Sequence, residues 1–195
     1  MREQEVFVMA DEALCDVVDR IGDDQWAMDL PAWFKVNPAQ KDLDLRRIIN
    51  YHAYDDAWVP DVLAGKTIAE VGSRHGGDLL GADPKAAFRA IAERAIEAVW
   101  ALGDGDAPVH LSYGTYPARE YLQHITCFRG FRVHELSKLI GISPTMPDAL
   151  VEGLMDVVAP NAEEWRQMGV FGPALPVEAG ADPRTALLCL VGYEP

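Results

Sequence analysis

The chain is poor in cysteine, in positive charge and in long apolar runs. Its three cysteines, Cys15, Cys127 and Cys189, are odd in number and far apart. No two have metal-knuckle spacing, so the reading is reduced, mostly buried thiols in a cytoplasmic protein. Only 17 Lys and Arg stand against 31 Asp and Glu, a net charge of −14. Such a surface repels polyanions, which removes nucleic acid and anionic membranes from the partners expected. No apolar stretch approaches the roughly 20 residues of a membrane span, and MREQEVFVMADEALC lacks the basic start and apolar run of a signal peptide. Repeats and low-complexity tracts are missing too. The glycines of SRHGGDLLG are not followed by the Lys-Ser/Thr of a phosphate loop, and His75 among them is expected at the surface.

What is present is helix. With 195 residues and 49% hydrophobic content, one domain over 1–195 can bury roughly 70% of its unfolded surface. Val6, Met9, Ala13, Leu14, Val17 and Ile21 have helical spacing, and Asp44 can cap a second helix through Leu45, Ile48, Ile49, His52 and Val59, with Pro60 ending or kinking it. The stretch between them is rich in turn formers, with aromatics expected against the bundle. Residues 64 to 84 read as a loop, Asp83-Pro84 opens a third helix, and VHLSY at 109 to 113 reads as briefly extended. Pro117 opens a fourth helix, Pro147 a shorter fifth, NAEEWRQMG another turn or two, and Asp182 caps the last piece. The fold class expected is all-α: an up-down-up-down four-helix bundle with a long second crossover and short additional C-terminal helices.

The fourth helix contains HITCFRGFRVHELSKLIG, in which Arg132 shares an apolar stripe with Ile125, Phe128, Leu136 and Leu139. An unpaired guanidinium pointing inward there would cost several kcal/mol, so it needs a partner. Asp55, Asp56 and Glu135 are the candidates for a structural ion pair; the functional alternative is that Arg132 offers its planar fork to an anionic ligand. Arg129 reads as a surface residue or as a second anion contact. Tyr113 and Tyr121 read as packing or as hydroxyl donors, and His134 as structural or interfacial. Cys127 near two arginines suggests a nucleophile, although a lone helical cysteine is more often a buried thiol.

The motifs DLRRIINYHAYDDAWVPDVLAGKTIAEVG, GDLLGADP, HLSYGTYPAREYL and ADPRTALLCLVG, in this order over about residues 8–193, resemble the DinB-like superfamily, and within it the branch related to mycothiol-dependent maleylpyruvate isomerase. The resemblance implies a four-helix bundle holding zinc or nickel, and thiol-dependent isomerisation or transfer with mycothiol or bacillithiol. It also implies metal ligands from one histidine on the second helix and an i, i+4 pair on the fourth. His52 matches the first ligand. Laid without gaps up to Ile140-Gly141, the pair falls on Phe128 and Arg132, and the family's Trp-Asp-Leu on His134-Glu135-Leu136. A shift of two would bring His134 into register, but its partner would then be Gly130.

Two of three ligands are thus missing, and the expectation is a site without the family metal. Arg132 supplies the positive charge instead, with His52 as base or hydrogen-bond partner and Asp56 orienting it. Arg129, His124, Tyr121 and Phe128 are the expected substrate contacts. A substitute metal set of His52, Asp56 and His124 is the alternative. The function implied is isomerase, thiol-transferase or cyclase-type chemistry on an anionic or carbonyl-bearing small molecule between the second and fourth helices. The competing class is a non-catalytic binder or scaffold. A solvent-connected cavity holding His52 and Arg132 together favours the enzyme; burial in direct salt bridges without a cavity favours the scaffold. Trp33, Trp58 and Trp165, where exposed, would offer faces for a homodimer.

Overall fold

The computed structural model describes residues 2–36, 43–144 and 146–195, and residues 37–42 of the turn-rich stretch lie outside them. Among the described residues the fold is mainly helical: α1 (Glu3–Asp19), α2 (Leu45–Leu63), α3 (Ile68–Val71), α4 (Pro84–Ala101), α5 (Ala118–Ile140), α6 (Asp148–Gln167) and α7 (Pro183–Leu190). A two-stranded antiparallel sheet, β1 (Pro108–Leu111) with β2 (Gly114–Pro117), precedes α5. Among the described residues, no helix is long and apolar enough to cross a membrane.

Several boundaries follow from capping. Asp44, Asp83 and Asp182 accept from the backbone N–H groups of Arg47, Ala86 and Thr185, satisfying donors that a helix start leaves open. The expected loop at 64 to 84 instead contains α3, started by a capping box between Thr67 and Glu70. His75 in that loop is mostly covered: its ring hydrogen-bonds Asp61 at 2.8 Å and meets Trp58 edge-on. Asp61 also binds Lys66 and Arg74, so one carboxylate ties the crossover to α2. Neither internal proline breaks its helix. Pro60 lies in the last turn of α2, and exposed Pro160 lies within α6, where the carbonyl left unpaired can meet water. α6 is therefore one long helix, where a short helix and a separate turn were expected.

Helix directions follow from the contacts. Gln4 bonds the carbonyls of Val99 and Leu102 while Arg89 pairs with Asp19, so α1 and α4 are antiparallel. Gln123 meets Glu3 and Arg129 meets Asp11, so α1 and α5 run parallel. Arg129 meets Asp56 and Arg132 meets His52, so α2 and α5 are antiparallel. The order is up-down-down-up, and the up-down-up-down expectation is corrected. The long crossover carrying α3 returns the chain to the end it came from, which a short antiparallel turn could not do.

The apolar core has two parts. One holds the α2 N-terminal residues Leu45, Ile48 and Ile49 with Leu14, Phe88 and Leu136; the other holds Phe7, Val59, Val99 and Leu122. Asp11, Asp56 and Arg129 lie where these clusters meet. α6 packs close through glycine: a Cβ on Gly130 would stand 2.5 Å from Leu154, and one on Gly153 2.7 Å from Val6.

Candidate functional site

α5 contributes two buried arginines, and they do different things. Arg129, read from the sequence as a surface residue or a second anion contact, is 1% exposed and is the largest fully buried side chain among the described residues. Its Nε donates to Asp11 on α1 at 2.9 Å, its Nη2 donates to Asp56 on α2, and its Nη1 caps the Ile125 carbonyl at 3.1 Å. Both carboxylates are fully buried, and each keeps one oxygen without a partner among the described residues. Burial, opposed by Arg129, raises Asp11 to about 6. With Nε and Nη2 on one edge of the guanidinium, two acids share one cation. Asp56 is thus committed to Arg129 and does not orient His52.

Arg132 does point inward, as its place on the stripe implies. Its Nε donates to His52 Nε2 at 3.1 Å, and its Nη1 donates to the Lys35 carbonyl at 3.0 Å and to Glu135 at 2.8 Å. The guanidinium also lies over the Phe34 ring at 4.6 Å. Its acid partner is Glu135, not Asp55 or Asp56. Arg132 Nη2 makes no hydrogen bond within the described residues. Glu135 is also held by the Lys35 N–H at 2.7 Å; burial raises its pKa, while Arg132 pulls the other way.

This geometry sets the state of His52. A guanidinium only donates, so Nε2 must present its lone pair and the proton sits on Nδ1, which has no partner among the described residues. Burial, then Arg132 and Arg129, hold its pKa well below the ordinary histidine value. His52 is neutral with its one basic nitrogen taken, so it steadies Arg132 rather than standing free as a base.

A cavity of about 510 Å³ opens on the other face of α5, between α5, α6, the hairpin and the C-terminal tail. It does not lie between α2 and α5, because the Arg129 and Arg132 networks fill that gap. The residues α5 gives to its wall, Glu120, His124, Cys127, Phe128, Phe131, Arg132 and Glu135, recur at helical spacing. Of the expected contacts, His124, Phe128 and Arg132 line the cavity, whereas His52, Asp56, Arg129 and Tyr121 do not. Tyr121 is buried in the second core cluster. Phe128 is 55% exposed at the mouth rather than buried on the stripe. His134 is buried behind, bonding the Glu194 carbonyl at 3.0 Å. Cys127 reaches the wall, but burial pushes its thiol up to about 12.

The far wall was not read from the sequence. Trp165 and Phe171 meet with ring centroids 5.6 Å apart, and Phe131 stacks on Tyr193 at 5.4 Å. Tyr116 meets His124 at 5.3 Å. The only signal was large apolar residues inside the Gly-rich run MGVFG and at the C-terminal end, where no helical period calls for them. Of the tryptophans named for a dimer face, Trp33 is 41% exposed, while Trp58 and Trp165 are partly covered.

The metal implied by the resemblance does not fit these side chains. Arg132 occupies the nitrogen of His52 that would face an ion, Phe128 offers no donor atom, and His124 lies along the cavity away from Asp56. No group of three or more His, Cys, Asp or Glu among the described residues could hold a metal ion. Compared with known proteins, the chain matches no family model, no curated protein and no solved structure. Fold and site together define a mainly helical protein with a buried polar layer and an aromatic-walled cavity.

Proposed function

We propose that the chain is a small-molecule enzyme of the DinB-like, maleylpyruvate isomerase-like type, with isomerase or transferase-like chemistry in the cavity between α5 and α6. One observation carries the reading: Arg132, which lines the cavity, is held from three sides by His52, Lys35 and Glu135, while its Nη2 makes no hydrogen bond among the described residues. A guanidinium fixed in this way pre-pays its orientation, so its remaining donors can meet a carboxylate, an enolate or a polarised carbonyl. The proton carrier on the same cavity wall is His124, eight positions before Arg132 on α5. Burial keeps its pKa below the ordinary value, its Nδ1 lies 3.3 Å from the Tyr113 hydroxyl, and its side chain is 21% exposed. A neutral imidazole at the cavity wall suits general-base work near neutral pH. A thiol co-substrate such as mycothiol is left out, because the family activates it with an ion that these side chains do not hold.

The test is calorimetric titration of aliphatic and aromatic carboxylic acids into the wild type and Arg132→Gln. Carboxylate binding that Arg132→Gln removes supports the reading. Equal affinity in both proteins, or no binding to either, overturns it.

A second reading, a non-catalytic binder built on the same cavity, is favoured by the chemistry of His52 and Cys127. The basic nitrogen of one is occupied, and the thiol of the other stays protonated. For a binder, His124→Ala leaves ligand affinity unchanged and wild-type protein never consumes the ligand. For an enzyme, turnover is measurable and falls on that substitution with affinity retained.

A further inference from the structure

The cavity is electrically lopsided, which an anion pocket alone does not explain. Arg132 is the only cation among its described lining residues, and Glu135 already balances it. Two more carboxylates, Glu120 and Glu164, line the cavity and have no cation facing them across it. They lie at the end remote from Arg132: twelve positions separate Glu120 from Arg132 on α5, a rise of about 18 Å. Glu164 belongs to the same end, since its neighbour Trp165 meets the His124 ring at 6.3 Å. His124 sits 3.7 Å from Glu120, and burial keeps it from gaining the proton that would neutralise that end.

The walls between the ends are aromatic. Tyr113, Tyr116, His124 and Trp165 form one chain of ring contacts at the acidic end, with centroids 5.3 to 6.3 Å apart. Rings near carboxylates are the surroundings that hold an alkylammonium group, because ring faces and acids attract the same charge while the rings displace its water. About 510 Å³ suits a ligand of small-molecule size.

We propose that the cavity takes an elongated amphipathic ligand bearing a cationic amine, with the ammonium between Glu120 and Glu164 against the aromatic rings and an apolar body running along α5 towards Arg132. Where that ligand also carries a carboxylate, Arg132 receives it, so this inference deepens the proposed function and rests on that reading only for the second end.

Titration of three matched probes into the full chain separates the two ends: decanoic acid, decylamine and ω-aminodecanoic acid. The proposal expects ω-aminodecanoic acid to bind about tenfold tighter than decanoic acid. It expects the Glu120→Gln, Glu164→Gln double variant to remove that advantage while decanoic acid binds as before. Both acids are surface-accessible, and thermal melting checks that the variant folds. Decylamine binding that needs the two acids but not Arg132 supports the ammonium site even if the Arg132 reading fails. Decanoic acid binding with no gain from the amine overturns the ammonium site and leaves Arg132 standing. A gain that survives the double variant also overturns it, as does failure of both amines to bind.

Discussion

Arg129 on α5 donates to Asp56 on α2 inside the protein, and neither side chain reaches solvent. With Asp11 on the same guanidinium, three helices meet at one charged point between two apolar clusters. The arrangement keeps α2 and α5 bridged by long side chains rather than packed backbone to backbone. It also orders the next turn, where Arg132 reaches His52 with the same antiparallel register. The buried layer is thus the support on which the cavity-facing arginine stands.

Removing Arg129 leaves two buried carboxylates without a counter-charge. Arg129→Leu is expected to lower stability by roughly 3–5 kcal/mol, seen as a fall in the urea midpoint. The triple change Arg129→Leu, Asp11→Leu, Asp56→Leu is expected to recover most of that loss, because no charge is then left buried. A single variant as stable as the wild type would show that the layer carries no such strain.

Arg132 is less deeply buried, its side chain 13% exposed, and its loss is milder. Arg132→Leu strands Glu135, which still accepts from the Lys35 N–H, so a cost of about 1–3 kcal/mol is expected in urea unfolding. The same variant frees His52 Nε2. Since burial is the larger cause of the low His52 pKa, its imidazole is expected to stay neutral, which nitrogen chemical shifts across a pH titration would read.

Local signals in the sequence were legible and long-range ones were not. Asp44, Asp83 and Asp182 announce helix starts because a cap satisfies donors only three residues away. Arg132 could be assigned inward from its stripe, with Glu135 among its candidate partners. Arg129 could not be assigned, because its acids lie 118 and 73 positions away and nothing near it advertises them. The helix order was misread because a crossover's length does not say to which end it returns. The cavity lies on the α6 side, where one helix runs unbroken through Pro160 in place of the short helix and separate turn expected.

Asp11 gives the stability an unusual pH dependence. Its pKa is about 6 in the folded protein against the ordinary 3.8, so the folded state holds more protons than the unfolded one between these values. Stability from this group is therefore present at low pH and lost as pH rises from about 4 to 6, by roughly 3 kcal/mol in all. Carboxylates held by cations, such as Asp61, whose pKa its hydrogen bonds with Lys66 and His75 lower, slope the opposite way. The difference between wild type and Asp11→Asn isolates the buried group: it is expected to fall across that window in urea melts, and a flat difference would refute the raised pKa.

Cys127 tests whether the arginines activate anything. It lines the same cavity as Arg132 but is 4% exposed, and burial raises its thiol to about 12. The neighbouring charges do not reverse this, because Arg129 is matched by Asp11 and Asp56, and Arg132 by Glu135. At neutral pH the thiolate that iodoacetamide needs is almost absent, and access is poor as well. Native protein is expected to incorporate iodoacetamide at Cys127 at least about 100-fold more slowly than urea-unfolded protein, measured by peptide mass spectrometry. Rapid alkylation of Cys127 in the native state would instead mean that a guanidinium is available to stabilise its thiolate, and the cavity would then hold a nucleophile that the ion pairs described above leave no charge to support.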